Sequence, residues 1–170
     1  MDKRLRISRA SYEDVPKIME IMETANRLVK DEEWFFMDTE EFTRQHIEEK
    51  GFTLKAEEDG CIAGFLSVRF PGEEHDNLGV HLSLSDEEMK QVAHMETAAV
   101  LPEYRGRGIQ KSLMCKAEEI LRDMPYHYLM GTAHPDNTYS VNNFLKLEYD
   151  IVDEGLKYGG LPRYVFCKRV

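Results

Sequence analysis

The sequence predicts an α/β fold, a mixed sheet carrying helices on its faces, and three observations lead there. Apolar residues recur with a period of about 3.6 over stretches such as 15–29 and 109–124, whereas 52–56, 92–100 and 128–133 are apolar or alternating runs of strand length. Glycine, proline and helix-capping residues fall at the joints between the two kinds of segment. Read in order, the segments run β-α-α-β-β-β-α-β-α-β-β, which interleaves strands and helices as a helix-covered sheet requires.

A chain of 170 residues suffices to close one hydrophobic core, and without repeats, low-complexity tracts or linkers residues 1–170 are expected to form one domain. The formal net charge of −10 argues against general affinity for nucleic acid or anionic membranes. Met1 to Ile7 is charged and lacks the apolar run of a signal peptide, and nothing approaches a membrane span, so a cytoplasmic protein is expected. Cys61, Cys115 and Cys167 are odd in number and far apart, with no metal-ligand spacing. They are read as reduced, mostly buried thiols, with no metal site.

Leu5 to Arg9 alternates like a first strand, and Ser11 with Asp14 resembles a capping box for the helix whose apolar stripe is Val15, Ile18, Met19, Met22, Ala25 and Val29. Asp38 with Glu41 opens a shorter helix that Gly51 ends. Between the two, Asp31-Glu32-Glu33-Trp34-Phe35-Phe36 sets acids beside aromatics, either a helix end on the core or the wall of a site for a cation. Phe52 to Ala56 and Cys61 to Phe70 read as a hairpin turning at Glu57-Glu58-Asp59-Gly60. Ser85 with Glu88 caps a short helix, and the strand Val92 to Val100 ends at Leu101-Pro102. A helix from Gly108 carries Ile109, Leu113, Ala117, Ile120, Leu121 and Met124 on one face and stops at Pro125. Tyr128 to Ala133 is a strand, Asp136 or Asn137 caps a helix through Leu147, and 149–152 and 163–168 close the sheet. Tyr158-Gly159-Gly160 between them is a plain turn or a substrate-side loop.

The chemistry concentrates in Arg105-Gly106-Arg107-Gly108-Ile109-Gln110-Lys111. Strand, glycine turn, helix is a geometry in which unpaired N–H groups at a helix start converge on an anion, aided by the helix dipole. Residues 103–116 carry Arg105, Arg107, Lys111 and Lys116 against Glu103, reversing the sign of the whole chain locally. Lys111 stands where a dinucleotide fingerprint needs its third glycine, and no P-loop is present. Taken alone, the glycine pair also fits a turn that merely starts a helix. An RNA-binding RG segment is the weakest reading, because this one is single and wedged between strand and helix.

Ala99-Val100-Leu101-Pro102-Glu103-Tyr104-Arg105-Gly106-Arg107-Gly108-Ile109 resembles the acyl-coenzyme A pyrophosphate motif of the GCN5-related N-acetyltransferase (GNAT) family. That motif is an Arg or Gln, two residues, a Gly, one residue, then Gly or Ala. A second signature follows about thirty residues on: His134-Pro135-Asp136-Asn137, Ser140 and Asn143-Phe144-Leu145-Lys146-Leu147-Glu148-Tyr149. The similarity is strong from Met95 to Tyr149. It implies the acyl-CoA N-acyltransferase (GNAT) fold, a mixed, mostly antiparallel sheet flanked by helices on both faces. Three positions depart from the pattern. Gln110 replaces the closing Gly or Ala of the phosphate loop, Glu148 replaces a glycine before Tyr149, and Phe144 stands where many members have a tyrosine acid.

The resemblance implies transfer of an acetyl group from acetyl-CoA directly to an amine in a ternary complex, with no metal. The acceptor would be a small-molecule or peptide amine, and a homodimer is common for such folds. Glu96 is expected as the base, its pKa raised by partial desolvation, with His94 as alternate and Tyr139 as a replacement acid. Strict alternation would set His94, Glu96 and Ala98 on one strand face and Met95, Thr97 and Ala99 on the other. Amides near Ala98, Ala99 and Val100 would polarise the thioester carbonyl. Arg105, Gly106, Arg107, Gly108, Ile109, Gln110 and Lys111 would hold the pyrophosphate; Asn137 and Asn143 would bond the pantetheine arm or else serve as helix cap and surface, and Lys146 would meet a phosphate or solvent. Phe144 and Gln110 motivate the competing expectation, a non-catalytic acyl-CoA sensor. Trp34, Phe35, Tyr126 and Tyr158 are placed at the acceptor pocket by analogy.

Overall fold

The structure, a computed structural model, describes residues 4–28, 37–157 and 160–170. Seven strands form one sheet in the order β1-β2-β3-β4-β5-β7-β6: Leu5–Arg9, Gly51–Glu58, Cys61–Arg69, Val92–Val100, Tyr128–Ala133, Asp150–Lys157 (β6) and Leu161–Arg169 (β7). Every neighbouring pair is antiparallel except β4 with β5. The helices are α1 Val15–Leu28, α2 Glu40–Gln45, α3 Asp86–Met89, α4 Ile109–Leu121 and α5 Thr138–Lys146. The sheet is therefore mixed and mostly antiparallel, as expected.

Helices cover both faces. On one, α1 buries Val15, Ile18, Ile21, Met22 and Ala25 against Phe65 and Ala99. On the other, α4 buries Ile109, Leu113, Met114, Ala117 and Leu121 against Phe52, Leu54, Leu66 and Val68, and α5 adds Phe144 stacked on Phe166. The α1 stripe includes Ile21 and leaves Met19 half-buried; Val29, the 31–36 segment with Trp34 and Phe35, and Tyr158 and Gly159 lie outside the described residues. Tyr126 stacks on Phe70, at 4.1 Å, beside the α4 core rather than in an acceptor pocket. The β2–β3 hairpin turns at Asp59 and Gly60, both at positive φ (53° and 79°), the geometry a two-residue turn needs to match strand twist.

Several local expectations are corrected. Thr39, not Asp38, caps α2, its hydroxyl accepting the Phe42 N–H, and Gly51 begins β2 rather than ending the helix. Cys61 and Cys115 are exposed and only Cys167 is buried, because Cys61 opens a hairpin strand and Cys115 lies on the outer side of α4. β6 and β7 extend beyond the predicted runs, since pairing with each other and with β5 sustains them where the apolar pattern fades.

Strict alternation along β4 also fails. Ser67 pairs with Thr97 and Val68 with Met95, so Glu96 is an extra residue outside the ladder, a β-bulge. Successive β3 residues face opposite sides, so Met95 and Thr97 do too. Met95 joins the core under α4, and Thr97 turns to the α1–α2 side and bonds Asp38.

Strands β3 and β4 are antiparallel neighbours joined not by a tight turn but by the segment 70–91. Fully buried Asn77 holds it, accepting the Gly79 N–H at 2.8 Å and donating to the carbonyls of Gly72 and Met89 at 2.9 and 3.0 Å. The segment crosses the sheet. Leu78 packs among Val92, Met130, Val165 and Cys167, and His81 meets Asp153 of β6 at 2.6 Å.

Candidate active site

The parallel ladder between β4 and β5 spans only Val92–His94 against Tyr128–Met130. Beyond it the strands part, and the bulge at Glu96 sits where they do; an inserted residue bends its strand and breaks pairing. The gap is a cavity of about 110 Å³. Its walls come from Met95 to Ala98 on β4, Thr132 and Ala133 on β5, Asn137, Ser140 and Phe144 on α5, Gln110 and Met114 on α4, Arg163 on β7, and Asp38 from the α1–α2 connection. Gly131 lets α5 come this close: a Cβ there would stand 2.6 Å from Phe144 Cζ.

Gln110 ties this cavity to the glycine loop. Gly106 and Gly108 have φ of 80° and 71°, the left-handed region glycine adopts without strain. The N–H groups of Gly106, Arg107, Gly108, Ile109, Gln110 and Lys111 have no acceptor among the described residues, the first bond into the helix being Ser112 N–H to Gly108 O at 3.0 Å. Six successive unpaired amides at the positive end of a helix dipole fit a pyrophosphate. The Asn143 side-chain nitrogen, buried without an acceptor, is a second group that a bound carrier would satisfy.

The side chains of the loop divide differently from expectation. Arg107 bonds buried Glu58 on β2, so its backbone rather than its guanidinium is left for an anion. The Arg105 N–H is taken by Pro102 O at 3.2 Å, and Ile109 is buried in the core. Lys111 lines a shallow groove on the outer side of α4 with Lys116.

Two carboxyls enter the cavity. Glu96 is where strand placement predicts it, but both its oxygens are engaged: His94 Nδ1 lies 3.1 Å from Oε2 and Arg69 Nη1 3.5 Å from Oε1. Burial pushes the Glu96 carboxyl up; the His94 hydrogen bond and the charges around it outweigh this and hold it below the ordinary carboxylate value. The expected upward shift is thus reversed. His94 is 2 % exposed, and its Nε2 accepts the Leu78 N–H at 3.0 Å, which places its proton on Nδ1 facing Glu96. Both ring nitrogens of His94 are thus engaged within the protein.

Asp38 is the residue that the sequence did not reveal. Burial pushes its carboxyl up to about 6, the nearby Glu96 charge adds to this, and a hydrogen bond from the Thr97 hydroxyl opposes it. Thr97 lies 59 positions away in sequence, so no local signal marks the pair. Arg69, which Glu74, Asp76 and Glu96 surround, was likewise invisible before strand pairing set it beside His94.

Other predicted residues separate. Asn137 caps α5, accepting the Ser140 N–H at 3.3 Å, and also lines the cavity. Ala98 lines it, while Ala99 and Val100 turn into the two cores. Tyr139 is 48 % exposed and outside the cavity: five residues before Phe144, it is rotated about 140° from Phe144 around the helix. Lys146 is exposed in the last turn of α5 and does not line the cavity either.

The model of the acetyltransferase (GNAT) family matches residues 15–149. No curated protein matches in sequence. Among solved structures, YncA of Salmonella typhimurium, determined with its cofactor acetyl-CoA, is similar at 17 % identity and a TM-score of 0.71, covering 98 % of this chain and 94 % of its own. The ribosomal-protein-S18-alanine N-acetyltransferase of Escherichia coli gives 14 % and 0.74, over 98 % and 94 % of the two chains. The ribosomal-protein-alanine N-acetyltransferase of Brucella melitensis gives 19 % and 0.69, over 97 % and 99 %. These likenesses establish the fold; the family match, which takes in the glycine loop and every wall of the cavity except Arg163, establishes that the chain belongs to the GNAT family of acetyltransferases.

Proposed function

We propose that the chain transfers the acetyl group of acetyl-CoA to a primary amine, of a small molecule or an exposed protein amine, by direct transfer in a ternary complex. The observation that carries this is a pair of carboxyls, Asp38 and Glu96, lining a cavity that Gln110 links to the unpaired amides of loop 106–111. Acetyl-CoA, when bound, supplies an acetyl group activated as a thioester. The loop amides bind its pyrophosphate, and Asn137 and Asn143 hold its pantetheine arm. Where β4 has left β5, main-chain amides near Ala98 polarise the acyl carbonyl.

The obstacle is the acceptor's proton. An alkyl amine of pKa about 10.4 is protonated at neutral pH, and removing the proton costs roughly 4–5 kcal/mol. Transfer to Asp38, near 6, is less uphill than transfer to Glu96, which is held below the ordinary range. Asp38 therefore takes the proton, and Glu96, fixed by His94 and Arg69, holds the ammonium group before transfer. Phe144 has no proton to give, and a thiol of pKa about 8.5 can leave as its anion near neutral pH.

The test mixes protein, acetyl-CoA and a panel of primary amines, following thiol release together with the mass of the acetylated amine. Stoichiometric release is the expected result. Tight acetyl-CoA binding with no release across the panel would establish a non-catalytic acyl-CoA sensor instead.

A further inference from the structure

A second cavity, about 420 Å³, lies under segment 70–91. Its walls are His75, Leu78, Val80 and His81 from that segment, with Arg69 of β3 and His94 of β4. Glu96 is the one residue, among those described, that lines both this cavity and the one at the strand divergence. The two spaces therefore meet at a carboxylate. On the acetyl-transfer reading the smaller one takes the acyl group and the end of its carrier; the larger has the volume of a small-molecule site.

We infer that the larger cavity is the acceptor chamber and that it selects small aliphatic amines carrying a second positive charge, diamines being the simplest class. This rests on the acetyl-transfer reading above. Charge and position support it. Arg69 is the cation of the chamber's lining; Glu74, outside the lining, is shared between Arg69 and Lys50, and the two carboxylates that do line the chamber, Asp76 and Glu96, face that one guanidinium and leave an excess of negative charge. The acids stand at opposite depths: the Glu96 side chain is 14 % exposed at the junction with the acyl cavity, and that of Asp76 is 52 % exposed at the mouth. Leu78 and Val80 give the wall between them an apolar stretch suited to a methylene chain. A diamine can set one nitrogen beside Glu96 and the other near Asp76, whose oxygens otherwise share the Arg69 guanidinium at 2.7 and 2.9 Å, whereas a monoamine brings no second charge to the outer acid. The chamber belongs to this chain's own long β3–β4 connection, anchored by Asn77.

The chamber is tested with cadaverine and pentylamine, which share a chain length and differ by one charge. Wild-type protein should show a kcat/KM at least about tenfold higher for the diamine, expressed mainly in KM, the equivalent of one charge-assisted hydrogen bond. Asp76→Asn should bring the ratio towards one. Val80→Trp, at an exposed position where folding is not at stake, should fill the chamber and raise KM for both amines while the Kd for acetyl-CoA is unchanged. Acetylation of both amines with equal kcat/KM, or of protein amines alone, would overturn the inference, as would an unchanged amine KM in Val80→Trp. Thiol release with no amine at all would instead overturn the acetyl-transfer reading itself.

Discussion

Asp38 and Glu96 are similar acids in one cavity, and neighbours set them apart. Glu96 has a histidine and an arginine on its oxygens; Asp38 has one hydroxyl and little water. A base must be unprotonated to act, so kcat/KM for an amine should rise as pH increases through about 6 and flatten above it. Asp38→Asn should lower kcat by about 10²–10⁴-fold and abolish that inflection. Glu96→Gln should keep the inflection and act chiefly on the amine KM, leaving acetyl-CoA affinity in place. The same shift bears on stability. A carboxyl whose folded pKa is raised from 3.8 to about 6 favours the fold below the lower value and loses that contribution as pH climbs through the higher one. Asp38→Asn should therefore be the more stable protein above pH 6, by up to roughly 2–3 kcal/mol, with the advantage fading by about pH 4; paired melting curves at the two pH values check this. Glu96 was legible because an acid in an otherwise apolar strand is conspicuous. Asp38 was not, because helix capping explained it locally and only the fold brings Thr97 to it.

Among the elements, strands, helices and most caps follow from period and punctuation, and Glu148 shows how a departure from a pattern can be read. It stands where the resembled signature has glycine, and its φ is 70°, left-handed, directly after α5. The backbone thus keeps the glycine-favouring turn and accepts strain of about 1 kcal/mol. Glu148→Gly should raise stability by about 0.5–1 kcal/mol, a Tm increase of roughly 2–3 °C by calorimetry, with acetyl transfer unaltered. The bulge at Glu96 has no such marker. One extra residue between Met95 and Thr97, opposite the Ser67–Val68 step of β3, reverses the facing of everything on one side of it, and alternation alone cannot locate a slip that only the partner strand records. The chamber under segment 70–91 escaped for a related reason: its residues sit in a connection whose lack of long periodic runs made it read as a loop around a short helix.

For the molecule as a whole, a formal charge of −10 works in opposite directions on the two substrates. It draws a cationic acceptor in and repels an anionic carrier, and the local cations at Arg105, Lys111 and Lys116 offset the repulsion where the carrier docks. Raising ionic strength from about 0.05 to 0.5 M, which shortens the Debye length from well over 10 Å to about 4 Å, should raise KM for a diamine more than for pentylamine. Steady-state kinetics in sodium chloride of increasing concentration give the comparison. The family was legible because its two signatures are contiguous strings, whereas the acceptor was not, because its surroundings are assembled from β3, β4 and the connection between them.

The short β4–β5 ladder has a mechanical corollary. Three residue pairs are the whole seam between a four-stranded leaf, β1 to β4, and a three-stranded one, β5, β7 and β6. The leaves are otherwise clasped by helix packing and by the strip of chain that runs from β3 across to Asp153. A carrier lodged in the cleft becomes a missing rung, bridging main-chain groups that no strand pairs. The enzyme should consequently breathe along this line when empty and stiffen when loaded, so that turnover alternates between a hinged sheet and a spliced one.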